Sequence, residues 1–201
     1  MSPVAIVDSG GANIASLCFA FERLGVAARL TSDPLELRAA ARVILPGVGA
    51  AGDAMHRLQT LGLADLLPAL TQPVLGICLG MQLLYESSAE DDARCLGVIP
   101  GRVGRLEAAP GRPVPHMGWN RLSLGRASDL TAGLGDGDYV YFVHSYAVAA
   151  RDTDLATCQY GEPFAAIVQH GNFFGMQFHP ERSAGVGRRL LANFLALPTW
   201  N

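Results

Sequence analysis

Four short, almost wholly apolar runs, Val4 to Val7, Val26 to Leu30, Val43 to Leu45 and Val74 to Ile77, punctuate the first half of the chain. Each gives way to a Gly-rich or polar turn and then to a helical period. A strand that is apolar at every position needs cover on both faces, and a parallel sheet flanked by helices provides it. Such sheets bind ligands beyond the carboxyl ends of their strands. The helix after the first run is capped by Asn13 and turns Ile14, Leu17, Cys18, Phe21 and Leu24 inward, with Gly25 past its end. Asp33 and Pro34 signal a second, shorter helix.

From Gly97 onward the runs shorten: Val103 to Leu106, Arg121 to Leu124, Tyr139 to Val143, Leu155 to Tyr160, Ala165 to Val168 and Phe173 to Phe178. Alternation within them and the hairpin-type turn His170-Gly171-Asn172 predict an antiparallel portion, and therefore a mixed sheet. Gly101 to Pro115, with three prolines, reads as a surface loop. A final amphipathic helix spans Ala184 to Leu197, with Val186, Leu190, Phe194 and Leu197 inward. With no linker or repeat, residues 1–201 are expected to form one domain.

The chain contains no lysine, so all 15 basic residues are arginine. This excludes lysine Schiff bases, pyridoxal phosphate chemistry and phosphate loops. A net charge of −3 argues against nucleic acid as a partner, and no apolar stretch approaches the ~20 residues of a membrane span. The start carries Asp8 and lacks a basic leader region, so the expected location is cytoplasmic. Cys18, Cys78, Cys95 and Cys158 fit no zinc or dithiol spacing and read as free thiols.

One of the four differs in context. Gly76-Ile77-Cys78-Leu79-Gly80 has the small-x-nucleophile-x-small form of a nucleophile elbow, placed at a strand end before a helix-like stretch. Unpaired amides at a helix start favour the thiolate. A small core residue is the commoner fate of a free cysteine, but the elbow favours a nucleophile. Phe178-His179-Pro180-Glu181 supplies a base and an orienting carboxylate. Pro180 biases His179 to extended backbone, where residues two apart share a side. Taken alone the tripeptide is equally a surface turn, and His144, His179 and Glu181 would also suit a metal, although that reading leaves the elbow unexplained. Pro46-Gly47-Val48-Gly49 ends a strand in the same half of the sheet, so amides near Gly49 and Leu79 are candidates for an oxyanion hole.

Over nearly the whole chain these residues resemble the class I (triad) glutamine amidotransferases, whose elbow and His-Pro-Glu strings stand here as Gly76 to Gln82 and Phe178 to Glu181. Three further strings, Pro115-His116-Met117-Gly118-Trp119-Asn120, Tyr141-Phe142-Val143-His144-Ser145-Tyr146 and Glu181-Arg182-Ser183, look like the glutaminase subunits of imidazole glycerol phosphate synthases, in histidine biosynthesis. The resemblance implies a flavodoxin-like α/β fold, with a mixed, mainly parallel central sheet and helices on both faces. It also implies hydrolysis of glutamine to glutamate and ammonia by Cys78, His179 and Glu181 without metal or cofactor. Gln82 and the backbone around Ser145 and Tyr146 would hold the substrate. The implied partner is a (βα)8-barrel cyclase subunit, which makes imidazole glycerol phosphate and AICAR. Asn13 matches the pattern, whereas Ala12 stands where many members have Gly, a departure that touches the interface rather than the chemistry. Trp119 and Asn120, expected at a strand end near the site, suit that interface, against a plain core role for Trp119.

Two alternatives share the elbow: the glutaminases of anthranilate or aminodeoxychorismate synthase, and a cysteine γ-glutamyl hydrolase or peptidase. The His-Met-Gly-Trp-Asn string speaks against the former, and a small pocket with Gln82 separates the latter. A non-catalytic binding module is expected to lack a triad member, and all three are present.

Overall fold

A computed structural model describes residues 4–8, 10 and 14–198. The strands are β1 (Val4–Val7), β2 (Ala28–Thr31), β3 (Arg42–Gly47), β4 (Val74–Cys78), β5 (Tyr85–Ser88), β6 (Ile99–Arg105), β7 (His116–Arg121), β8 (Ser123–Leu124), β9 (Tyr139–His144), β10 (Tyr146–Ala147), β11 (Ala156–Tyr160), β12 (Glu162–His170) and β13 (Phe173–Met176). The helices are α1 (Ile14–Glu22), α2 (Pro34–Ala39), α3 (Ala51–Thr60), α4 (Leu79–Leu83) and α5 (Ala184–Ala196).

The central sheet has the order β2-β1-β3-β4-β13-β12-β11-β8. Pairing is parallel from β2 through β13 and antiparallel from β12 to β8, the mixed sheet that the sequence predicts. Alternate residues divide between the two faces. Ala5 and Val7 join a core with Leu37, Val43, Met55 and Leu58 beneath α2 and α3, whereas Val4 and Ile6 join Leu17, Phe21, Leu190 and Phe194 beneath α1 and α5. Asp33 caps α2 as expected, accepting from the Leu35 amide at 2.8 Å. The expected cap of α1, Asn13, lies outside the described residues. No described helix is long and apolar enough to cross a membrane.

The second half departs from its expected layout. Two small sheets stand outside the central one: β10-β6-β5, and a two-stranded ribbon of β7 and β9. Thus Val103 and the run from Tyr139 to Val143 belong to neither edge of the main sheet. Gly101 to Arg105, expected in a loop, lies in β6. Gly101, at φ +127, sits where the pairing of β5 and β6 shifts register, so it marks a bulge rather than the start of a loop. Arg121 to Leu124 is split between two strands, because the chain leaves the ribbon at buried Leu122 and joins β11 through β8.

Candidate active site

In the register of the central sheet Gly47 lies opposite Cys78, and Ile77 opposite Met176. The carboxyl ends of β3, β4 and β13 are therefore neighbours, and whatever follows each strand meets in one place. The segments that follow them are Val48-Gly49, the Cys78 elbow and, three residues past β13, His179. A cleft of about 430 Å³ opens there, lined among others by Gly49, Cys78, Gln82, Glu90, Tyr146 and His179.

The elbow is strained and tightly built. Cys78 has φ +53 and ψ −113, a conformation that side chains rarely adopt and that the surrounding packing must hold. A Cβ on Gly80 would lie 1.8 Å from the Leu45 carbonyl oxygen, and one on Gly76 would lie 2.6 Å from the Gly80 oxygen. Both glycines are thus required for α4 to pack on β3 and β4. The helix itself is short, five residues from Leu79 to Leu83, because the chain turns at Leu84 into β5.

His179 Nδ1 lies 2.9 Å from Glu181 Oε1, and His179 and Cys78 line the same cleft. The adjacency of His179 and Glu181 has a different origin from the extended stretch expected. His179 is extended, but Pro180–Arg182 forms a 3-10 turn that brings Glu181 back under the ring. The backbone is fixed from three sides: the His179 amide donates to Tyr141 O at 3.0 Å, Ser183 Oγ donates to His179 O at 2.7 Å, and the Tyr141 amide donates to Ser183 Oγ at 3.0 Å. Burial, the largest single influence, would lower the His179 pKa. Hydrogen bonds and Coulomb attraction from Cys78 and Glu181 together reverse it and raise it to about 10. The cleft thus favours an imidazolium at His179, beside Cys78.

Gly47, Val48, Gly49 and Leu79 line the same cleft, with Gly49 at φ +89. Gln82 is buried and donates to Tyr146 O at 2.8 Å and to Gln177 Oε1 at 3.0 Å. Ser145 and Tyr146 form the wall at the corner where β9 passes into β10. Trp119 and Asn120 do not line the cleft. Trp119 is 52% exposed within β7, edge-on to Tyr141, which excludes a core role. Met117 and Tyr139 extend the same exposed apolar surface. Asn13, expected at the interface, lies outside the described residues. His144 is not free to ligate a metal, since Nδ1 contacts Tyr146 O at 2.9 Å and Nε2 contacts His116 Nδ1 at 3.0 Å.

Sequence reasoning missed two residues here. Gln177, wholly buried, sits 4.0 Å from Cys78 Sγ and anchors Gln82; a glutamine inside the apolar run Phe173 to Phe178 was its signal. Glu90 lines the cleft with Oε2 accepting from the Ala51 amide at 2.9 Å. Burial pushes its carboxyl up, the Ala51 amide offsets this in part, and Asp91 adds to the rise. Nothing in its local sequence marks it.

A profile of class-I glutamine amidotransferases matches residues 5–197. The protein named imidazole glycerol phosphate synthase subunit HisH 2 of Legionella pneumophila (strain Paris) is 57% identical over 194 residues, covering 96% of this chain and 98% of its own. The imidazole glycerol phosphate synthase subunit HisH of Xylella fastidiosa (strain Temecula1) is 55% identical over 197 residues, covering 98% of each. A crystal structure of a glutamine amidotransferase superposes with a TM-score of 0.74 at 22% identity, covering 96% of this chain and 97% of its own, a likeness of fold.

Proposed function

The chain belongs to the class I glutamine amidotransferases, and from that membership we propose that it is the glutaminase subunit of an imidazole glycerol phosphate synthase. The observation that carries the reading is identity above 50% across the full chain to relatives bearing that name. It favours this assignment over the chorismate-amidating glutaminases and γ-glutamyl hydrolases that share the elbow.

The chemistry assigned to the cleft is thioester hydrolysis. Cys78 thiolate attacks the side-chain carbonyl carbon of glutamine, and backbone amides near Gly49 and Leu79 receive the tetrahedral oxyanion. His179, charged beside Glu181, gives its proton to the departing ammonia. Water activated by the now neutral imidazole then cleaves the thioester and releases glutamate. Glu90, a partly desolvated carboxyl group whose hydrogen-bond partner among the described residues is the Ala51 amide, suits the α-ammonium of glutamine. Gln82 and the corner at Ser145 and Tyr146 hold the remainder of the substrate.

Ammonia released at neutral pH is mostly captured as ammonium, which is no nucleophile. A docked acceptor enzyme with a closed route is therefore required, and ring closure belongs to that partner, a (βα)8-barrel cyclase subunit in the cytoplasm. Met117, Trp119 and Tyr139 on the ribbon offer it an exposed apolar face. The test is co-purification with the cyclase, followed by glutaminase assays with and without its nucleotide substrate. A stable complex with nucleotide-stimulated turnover is expected, and a chain that neither binds the cyclase nor hydrolyses glutamine in its presence refutes the reading.

A further inference from the structure

Two buried histidines outside the triad make a chain of hydrogen bonds with a single direction. His144 Nδ1 lies 2.9 Å from the Tyr146 carbonyl oxygen. A carbonyl only accepts, so this nitrogen carries the proton. Burial, assisted by the nearby His116 and His179 and opposed by the Tyr146 carbonyl, lowers the His144 pKa to about 4, and burial does the same for His116. Each ring is therefore neutral at pH 7 and has one donor and one acceptor. His144 Nε2 then accepts from His116 Nδ1 at 3.0 Å, leaving His116 Nε2 to accept from Asn120 Nδ2 at 3.3 Å.

The Asn120 amide is oriented independently. Its Nδ2 also donates to Gln159 O at 3.1 Å, and its Oδ1 accepts from the Arg121 amide at 2.8 Å. Only one orientation satisfies all three contacts, and it is the one that makes Asn120 a donor to His116. The ring of His116 is clamped as well, stacked on Tyr160 at 3.9 Å and on Phe142 at 4.9 Å between centroids. The last acceptor, Tyr146 O, is the atom that also receives Gln82 Nε2 at 2.8 Å. The glutamine corner is thus held from two sides by the same carbonyl.

We propose that His116 and His144 are positioning residues that carry a one-way hydrogen-bond chain from Asn120, on the ribbon strand beside exposed Trp119, to the Tyr146 carbonyl at the substrate corner. The role rests on the glutaminase reading above, because it is the glutamine site that the chain aligns. A preorganised corner lowers the cost of ordering it around substrate, so its loss falls on glutamine KM more than on kcat.

His116→Phe keeps an aromatic ring between Tyr160 and Phe142 and removes both hydrogen bonds. In the assembled synthase it should raise glutamine KM about tenfold, the size of one lost polar contact, with a smaller change in kcat and no change in ammonium-dependent synthesis. His144→Asn retains a donor near the Nδ1 position and should keep more affinity than His144→Gln, which retains only the Nε2 side. A second readout does not need activity: nitrogen NMR of the histidine-labelled full chain should show the Nδ1–H tautomer at both rings. An Nε2–H tautomer at either ring overturns the proposal even if His116→Phe fails to fold. So does a folded His116→Phe complex with unchanged glutamine KM. Absence of glutaminase activity from the wild-type complex would instead refute the functional reading and leave the tautomers as the test of the chain.

Discussion

The imidazole of His179 and the carboxylate of Glu181 meet at 2.9 Å although a proline separates them. The contact exists because Pro180 opens a 3-10 turn that α5 locks in place. A Cβ on Gly187 of that helix would stand 1.9 Å from the Pro180 carbonyl oxygen. The charged state of His179 is therefore built into the backbone, and its consequences can be measured.

Glu181→Gln removes the carboxylate and should lower the His179 pKa from about 10. A free imidazole titrates at about 6.5, so the folded chain retains a proton that the unfolded chain releases. The resulting stabilisation is complete below about pH 6.5 and is lost as pH rises through about 10. Histidine NMR should show His179 protonated across neutral pH in the wild type and titrating lower in the variant, with glutaminase kcat reduced by about 10² or more. An unchanged titration would exclude Glu181 as the orienting carboxylate.

Cys78→Ala should abolish glutamine-dependent synthesis, by about 10⁴-fold or more, while synthesis from added ammonium salts persists in the complex. Steady-state assays with either nitrogen source decide this. Loss of both activities in a folded complex would mean that the two sites are not separate.

Two glycines of the site should respond in opposite ways. Gly80→Ala forces a methyl group into the Leu45 carbonyl and should destabilise the fold by about 3 kcal/mol or more, seen in thermal unfolding. Gly49→Ala meets open space, at φ +89, and should cost only about 1 kcal/mol, whereas Gly49→Pro, which removes the amide N–H, should lower kcat by about 10². Equal effects on stability from both would contradict the packing described for the elbow.

Acid should weaken the fold through His116 and His144. Their folded pKa values, about 4, lie below the unfolded value of about 6.5. Between these limits the unfolded chain binds more protons, so stability falls as pH falls, by about 1 kcal/mol per pH unit for each ring. Urea titrations from pH 7 to pH 4.5 measure the slope, and His116→Phe should flatten it.

Glu90→Gln should raise glutamine KM by about tenfold or more with a smaller loss in kcat, as expected for removing the carboxylate opposite a substrate ammonium. A substrate analogue without the α-amino group should be insensitive to the change, and equal sensitivity would remove Glu90 from that role.

Much of this was legible in the linear chain because it depends on neighbours in sequence. Apolar runs that need cover on both faces imply a parallel sheet. Glycines spaced around Cys78 imply an elbow, and the closeness of His179 and Glu181 in sequence implies their adjacency, although the 3-10 turn that produces it stands where the sequence predicts an extended stretch. Each is a short-range steric or solvation constraint, written within a few residues. The two small sheets outside the central one were not legible, because the segment from Gly101 read as loop until β5 and β10 pair with the strand containing it.

The sequence by itself determined the class of sheet, and it singled out Cys78, His179 and Glu181 as candidates that the strand ends hold together. Only the tertiary structure decided which distant residues complete the site. Glu90 reaches the cleft because its carboxylate meets the Ala51 amide, and Gln177 because the parallel register of β13 and β4 sets it beside Cys78. His116 and His144 become a directed pair because β7 and β9 place them opposite each other. The physical reason is separation along the chain. Burial, which decides whether a histidine is charged, and register, which decides what it faces, are set by strands that meet only when the sheets form.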